Sequence, residues 1–221
     1  MNLTARLLPT ATLLLLLATG VHAERKPVAL GLVGGITSTS YWGEAVNDVD
    51  FEIWPTTGFT LAFHLPVFLG LEMDVLYVAK SGSIREKVFD TTLQADRTKV
   101  STIKLHGLEI PFMIKITAPT ESEVQPIFFG GPSLAWHFSR ESFTEFIDIA
   151  NGGTVIPEEL PPAVEPENLR EYEWSLCLGG GVEWGLGSFQ LRFNLGRESL
   201  DKTGEVDVKT ATVAVMAGFI F

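Results

Sequence analysis

His137 and Ser139 stand two apart in a run that alternates apolar and polar residues. In an extended strand they share a face, with Ser139 placed as a nucleophile and His137 as its base. Arg140 follows directly, where a small or amide residue would suit such chemistry better, and the alternation turns His137 away from the apolar face. The pair is therefore expected not to be catalytic. His64, His106 and His137 lack metal-ligand spacing. Cys177 is the only cysteine, which leaves neither an internal disulfide nor paired-thiol chemistry. Glu141, Glu145, Asp148, Glu158, Glu159, Glu165 and Glu167 crowd one stretch without EF-hand spacing, so they read as a solvated surface. No metal and no cofactor is expected. A second set of charges is more regular. Glu72, Asp74, Glu109, Lys115, Glu173, Glu183 and Arg192 each sit between large apolar residues in short alternating runs.

Those runs are strands. In residues 189–195, Phe189, Leu191, Phe193 and Leu195 take one face, and Gln190, Arg192 and Asn194 the other. The same pattern recurs along the chain. Residues 57–64 set Phe59, Leu61 and Phe63 against Thr60, Ala62 and His64; residues 67–80 set Leu69, Leu71, Met73, Val75 and Tyr77 against Glu72 and Asp74. In residues 103–117, Leu108, Ile110, Phe112, Ile114 and Ile116 oppose Glu109, Pro111, Met113 and Lys115. Ile103 and Leu105 fall out of phase with that apolar set, which suggests a bulge near His106-Gly107. Residues 125–139, 171–184 and 209–221 complete the clear set, and residues 28–37 make a glycine-rich strand of ambiguous facing. The count is eight.

The connections alternate long and short: residues 38–55, 81–101, 140–170 and 197–208 are long and polar, and the others are tight. An even strand number with short turns at one end and longer loops at the other predicts an all-β fold, an eight-stranded antiparallel up-and-down transmembrane β-barrel. Trp54, Trp136, Tyr172, Trp174 and Trp184 fall near predicted strand ends, where an aromatic girdle belongs. Eight strands leave room inside for side chains and little more, so the seven charged residues are expected to form an ion-pair network in the lumen. A soluble carrier of lipocalin type would put its apolar face inside instead. Recovery from the periplasm rather than the membrane would reveal it.

The first 23 residues read as a secretory signal peptide: Arg6, an apolar centre at residues 13–17, and Val21-His22-Ala23 as the cleavage site. Residues 24–221 then form the barrel domain, in which residues 140–170 make a long, acidic, proline-rich loop expected to be loosely ordered and extracellular. The net charge is −11, and removing Arg6 with the leader takes it to about −12. So acidic a chain argues against nucleic acid.

Five stretches carry a family resemblance: Gly31-Leu32-Val33-Gly34-Gly35-Ile36; Leu71-Glu72-Met73-Asp74-Val75-Leu76-Tyr77; Leu108-Glu109-Ile110-Pro111-Phe112-Met113-Ile114-Lys115; Gly130-Gly131-Pro132-Ser133-Leu134; and Gly179-Gly180-Gly181-Val182-Glu183-Trp184 leading into residues 189–196. In this order and spacing they resemble the PorT-like outer-membrane β-barrel family of Bacteroidetes-type Gram-negative bacteria. The ending Ala217-Gly218-Phe219-Ile220-Phe221 has Ile where family members often place a basic residue, but keeps the terminal Phe. The resemblance implies an integral outer-membrane barrel. The expected function is non-enzymatic: a monomeric barrel in outer-membrane lipid that anchors, or presents extracellular loops to protein partners. A secretion or gliding accessory is the alternative. A lipid-A-modifying enzyme is the third reading, because small outer-membrane lipid-A deacylases use a His-x-Ser pair like His137 and Ser139.

Overall fold

Alternation resolves into continuous antiparallel ladders in a computed structural model that describes residues 27–43, 49–65, 68–90, 95–148, 154–160 and 164–221. The strands are β1 (Val28–Trp42), β2 (Val49–His64), β3 (Leu69–Asp90), β4 (Ala95–Thr117), β5 (Val124–Asp148), β6 (Thr154–Leu160), β7 (Tyr172–Trp184), β8 (Gly187–Gly196) and β9 (Lys209–Ile220). β1 to β5 pair in sequence, β5 pairs with β7, and β7, β8 and β9 follow in order. Pairing of β1 with β9 closes the ring at eight strands, and β6 pairs on the outer part of β5. Closure satisfies every wall strand on both edges, which an apolar surround demands. The predicted leader, residues 1–23, lies outside the described residues.

Polarity follows from the connections. The links from β2 to β3, from β4 to β5 (residues 118–123) and from β7 to β8 (residues 185–186) fall at the end that also holds Pro27 and Phe221. Gly185, with φ +52°, supplies the left-handed residue that a two-residue hairpin turn requires. At the far end the wall does not stop where the sequence suggested. The polar stretches 38–55 and 81–101 were expected to be loops. They are mostly strand: β1 runs to Trp42, β2 begins at Val49, and β3 and β4 pair all the way to Asp90 and Ala95. Residues 140–170 correct the expectation in the same way. Their first part is the end of β5, then comes β6, and Pro166–Asn168 form a 3-10 turn. The reason is that strand beyond the apolar band no longer meets hydrocarbon on its outer face, so polar residues replace the alternation. Ser and Thr hydroxyls take over as cross-strand partners, Ser83 to Thr102 at 2.8 Å and Ser101 to Thr144 at 3.0 Å. β5, at 25 residues, is more than twice the roughly 9–11 that cross the hydrocarbon.

Inside and outside are as different as two solvents require. Phe59, Ile114 and Phe128 point outward and are more than half exposed, with Leu30, Leu71, Phe112, Leu191 and Phe193 in the same band. An outward apolar band around a closed ring of strands is the surface a lipid-facing wall presents. β1, ambiguous in sequence, turns Ala29, Val33, Thr37 and Thr39 inward and Leu30, Leu32 and Ile36 outward. Prolines sit where ladders break. The β3–β4 register skips the partners between Met73↔Phe112 and Leu76↔Glu109, beside Pro111; the β4–β5 register skips those between Pro111↔Ser133 and Ile114↔Gly130, beside Pro132. Each proline lacks the N–H that the missing rung would use.

The expected irregularity is at His106/Gly107, but its extra residue belongs to the neighbouring strand. His106 pairs with Ser139 and Gly107 with His137, leaving Phe138 of β5 over. β4 keeps its phase, so Ile103 and Leu105 point inward and are fully buried. They meet Tyr41, Val164, Leu169, Leu200 and Val208 in an apolar plug at the far end of the interior. Two segments fold in to build it: Arg170 N–H donates to Leu200 O at 2.8 Å and Lys202 N–H to Asn168 O at 2.9 Å. Asp201 fixes the second segment by accepting from Thr203 N–H (2.9 Å), Thr203 Oγ1 (2.6 Å) and Val206 N–H (3.0 Å).

Candidate functional site: the ionic lumen

Side chains of period two from six strands converge on the axis and form two ionic layers. The layer nearer the short turns centres on Arg192 of β8 and Lys115 of β4. Lys115 Nζ lies 2.7 Å from both Glu72 Oε2 and Glu183 Oε1. Arg192 donates to Asp74 Oδ2 at 2.5 Å and to Glu72 Oε1 at 3.4 Å, and Gln190 accepts from its Nε at 2.9 Å. The second layer centres on Lys80 of β3, 3.0 Å from Glu109 Oε2 and 3.0 Å from Glu173 Oε2. His137 Nε2 is 3.1 Å from the same Glu173 oxygen; Thr210 donates to Glu173, and Asn194 donates to Glu109. All of these carboxylates and cations are buried.

All seven charged residues picked from the sequence thus line the interior. Glu72, Asp74, Glu183, Lys115 and Arg192 meet in one layer, and Glu109 and Glu173 in the other. Lys80 was missed, although it keeps the parity of Glu72 and Asp74 and that signal was available. Asn194, Gln190 and Thr210 have the right parity too, but nothing in the sequence says which of them reaches a carboxylate. Between the layers an apolar girdle of Met113, Ile127, Phe129 and Cys177 fills part of the section. Phe129 lies under the Arg192 guanidinium, 5.5 Å from ring centroid to Cζ. Gly179 makes room for that ring, since a Cβ there would come within about 2.5 Å of it.

The His-x-Ser pair does not form. The bulge at Phe138 separates the two residues, and Ser139 pairs with His106, whose ring belongs to the outer surface. His137 spends Nε2 on Glu173, and its Nδ1 has no hydrogen-bond partner, so no serine sits on either ring nitrogen. Outside, the aromatic girdle is a run of ring contacts: Trp54 to His106 (5.8 Å), His106 to Tyr77 (6.3 Å), Tyr77 to Phe138 (6.4 Å) and Phe138 to Trp136 (6.1 Å). Trp136 pairs with Tyr172 on β7, and Trp174 is two residues along. Trp184 stands at the short-turn end, beside Gly185. These amphipathic rings mark the level at which the wall leaves the hydrocarbon.

The chain thus combines a closed ring of eight strands, an ion-paired lumen and an outward apolar band, and the sequence itself decides the family. A model described as the outer membrane protein beta-barrel domain matches residues 22–200. The chain belongs to that family. No curated protein matches it in sequence. Among solved structures it is similar to the outer membrane protein OprG from Pseudomonas aeruginosa, at 13% identity over 89% of this chain and 97% of that one, with a TM-score of 0.43. It is similar to Ail, the attachment invasion locus protein of Yersinia pestis, at 13% identity over 89% of this chain and 100% of that one (TM-score 0.37). It is also similar to LpxR from Salmonella typhimurium, at 9% identity over 88% of this chain and 99% of that one (TM-score 0.34).

A lumen so filled should not conduct. The ionic layers and the apolar plug occupy the section, and about eight strands leave no aqueous channel. Purified outer-membrane barrel added to a planar bilayer is expected to give no steady open current. Sustained openings would mean that the plug and the Lys80 layer move aside together.

Proposed function

We propose that this outer-membrane barrel is a non-enzymatic, monomeric platform that holds the tall β3–β4–β5–β6 sheet outside the cell for protein partners. The observation that carries the reading is the height of the wall. β3, β4 and β5 run 22, 23 and 25 residues, far beyond the outward apolar band, while β7 and β8 stop at 13 and 10. Strand built far past the bilayer serves nothing inside it. The ion-paired interior supports an anchoring role, because it ties six strands together across the barrel axis.

The test is labelling followed by crosslinking. In a Cys177→Ala background, Glu145→Cys should react with a membrane-impermeant maleimide on intact cells. Thr120→Cys, at the short-turn end, should react only once the outer membrane is opened. A photo-crosslinker at Glu145 should capture a protein, whereas the same group at Leu191 should capture lipid alone. Labelling at Thr120→Cys on intact cells would invert the topology, and no protein adduct at position 145 would remove the platform role.

The resemblance to PorT-like barrels of Bacteroidetes-type bacteria favours a second reading, an accessory of a secretion or gliding machine. Loss of secretion or gliding on deletion of the gene, with the outer membrane otherwise intact, would select it. The lipid-A-modifying reading has lost its residue pair, since His137 faces Glu173 instead of Ser139.

A further inference from the structure

Between the two ionic layers lies an interior cavity of about 10 Å³, lined by Lys80, Glu109, Arg192, Asn194 and Thr212 on its polar side and by Ala214 and Met216 among its apolar residues. That is room for about one water-sized sphere. The polar groups around it are left with unused hydrogen-bonding capacity. Asn194 Oδ1 is buried with no donor. Glu109 Oε2 is ion-paired with Lys80 Nζ at 3.0 Å and, as a carboxylate oxygen, keeps a lone pair for a second donor. Both residues are more than nine-tenths buried. A buried acceptor without a donor is costly, so the group that belongs here must donate to Asn194 Oδ1, and the spare lone pair of Glu109 Oε2 takes a second proton. It can also accept: Lys80 has three N–H bonds, and its one aligned hydrogen bond goes to Glu173. Arg192 uses four of its five N–H donors, on Gln190 twice, Asp74 and Glu72.

We propose that this cavity is a binding site for a single water molecule, which donates to Glu109 Oε2 and Asn194 Oδ1 and accepts from Lys80. A water has two donors and two lone pairs, which is the complement the lining demands. A metal cation has no proton to donate and would meet the fixed charges of Lys80 and Arg192. Among the described residues no cluster of three His, Cys, Asp or Glu is arranged to hold one. The bound water completes the Lys80 layer, giving Glu109 and Asn194 a donor and Lys80 a further acceptor.

The experiment is water–protein cross-relaxation NMR on deuterated barrel in lipid nanodiscs, with a rubidium-soaked crystal as the second arm. The parent should show a long-lived water cross-peak to the Asn194 side-chain amide. Ala214→Val, which adds methyl groups to the cavity, should lose that peak and lower the Tm, because the acceptors lose their donor. No long-lived cross-peak in the parent means a dry cavity and overturns the proposal. So does a higher Tm for Ala214→Val, the result that filling an empty apolar void would give. Rubidium density in the cavity would overturn it in favour of a cation. If Ala214→Val fails to assemble, the parent's cross-peak decides alone.

Discussion

Arg192→Met should be the most damaging single change in the interior. Arg192 is 2% exposed and is, among the described residues, the cation paired with Asp74, which it meets at 2.5 Å, while it shares Glu72 with Lys115. Methionine fills much of the same volume, so packing against Phe129 is largely kept and the charge is what disappears. Among the described residues the two layers then hold the five carboxylates Glu72, Asp74, Glu109, Glu173 and Glu183 against two cations, Lys80 and Lys115. Breaking a buried pair by removing one partner costs about 3–5 kcal/mol, because the remaining charge is desolvated and uncompensated. Arg192→Met/Asp74→Asn should recover most of that loss, since the orphaned charge goes with its partner. Lys202→Met, on an exposed residue, should stay within about 0.5 kcal/mol. The measurement is urea unfolding in lipid vesicles, with gel mobility of unheated and boiled samples reporting the closed barrel. An Arg192→Met barrel as stable as its parent would mean that bulk water reaches the layer and solvates Asp74.

How much of this could be seen in the chain depends on where each segment lies. Within the bilayer the two faces of a strand meet different solvents, so the alternation of Leu71, Met73, Val75 and Tyr77 with Glu72 and Asp74 reads off directly. The same held for β8 and for β4 from Leu108 to Ile116. Beyond the bilayer the outer face no longer meets hydrocarbon, the period fades, and residues 81–90 and 95–101 read as loop. The interior partners were legible as a set but not as pairs. Lys115 reaching Glu183 depends on the ring closing, and the two lie 68 residues apart in sequence. His137 and Ser139 show the opposite failure. Their spacing was clear, but one extra residue, Phe138, decided which face each took, and nothing local announced it. The plug was hidden for a third reason: Leu169, Leu200 and Val208 are single apolar residues in polar segments, and only the fold brings them to Ile103 and Leu105.

Leu191→Arg should block assembly or strongly weaken the barrel from the other side of the wall. Leu191 is at the middle of β8, between Gly180 of β7 and Val215 of β9, and points outward with Phe189, Phe193 and Leu195. An arginine there meets hydrocarbon with no acidic partner on that face of β8. At mid-depth this costs about 2–4 kcal/mol, falling to about 0–1 kcal/mol near the interface. Leu195→Arg, one residue from the end of β8, is therefore the matched control: the same substitution on the same face, with a shorter path for the side chain to reach water. An inward substitution is a poor control. Gln190 accepts from both Arg192 Nε and its terminal nitrogen, so Gln190→Arg would set two guanidinium groups against each other in the lumen. Folding of the two outward variants into vesicles, followed by the heat-dependent gel shift, should rank Leu191→Arg well below Leu195→Arg. Equal losses would mean that the bilayer is not centred on residue 191. No loss in either would place β8 against protein or water and not lipid, and the outward face of the whole ring would have to be reassigned with it.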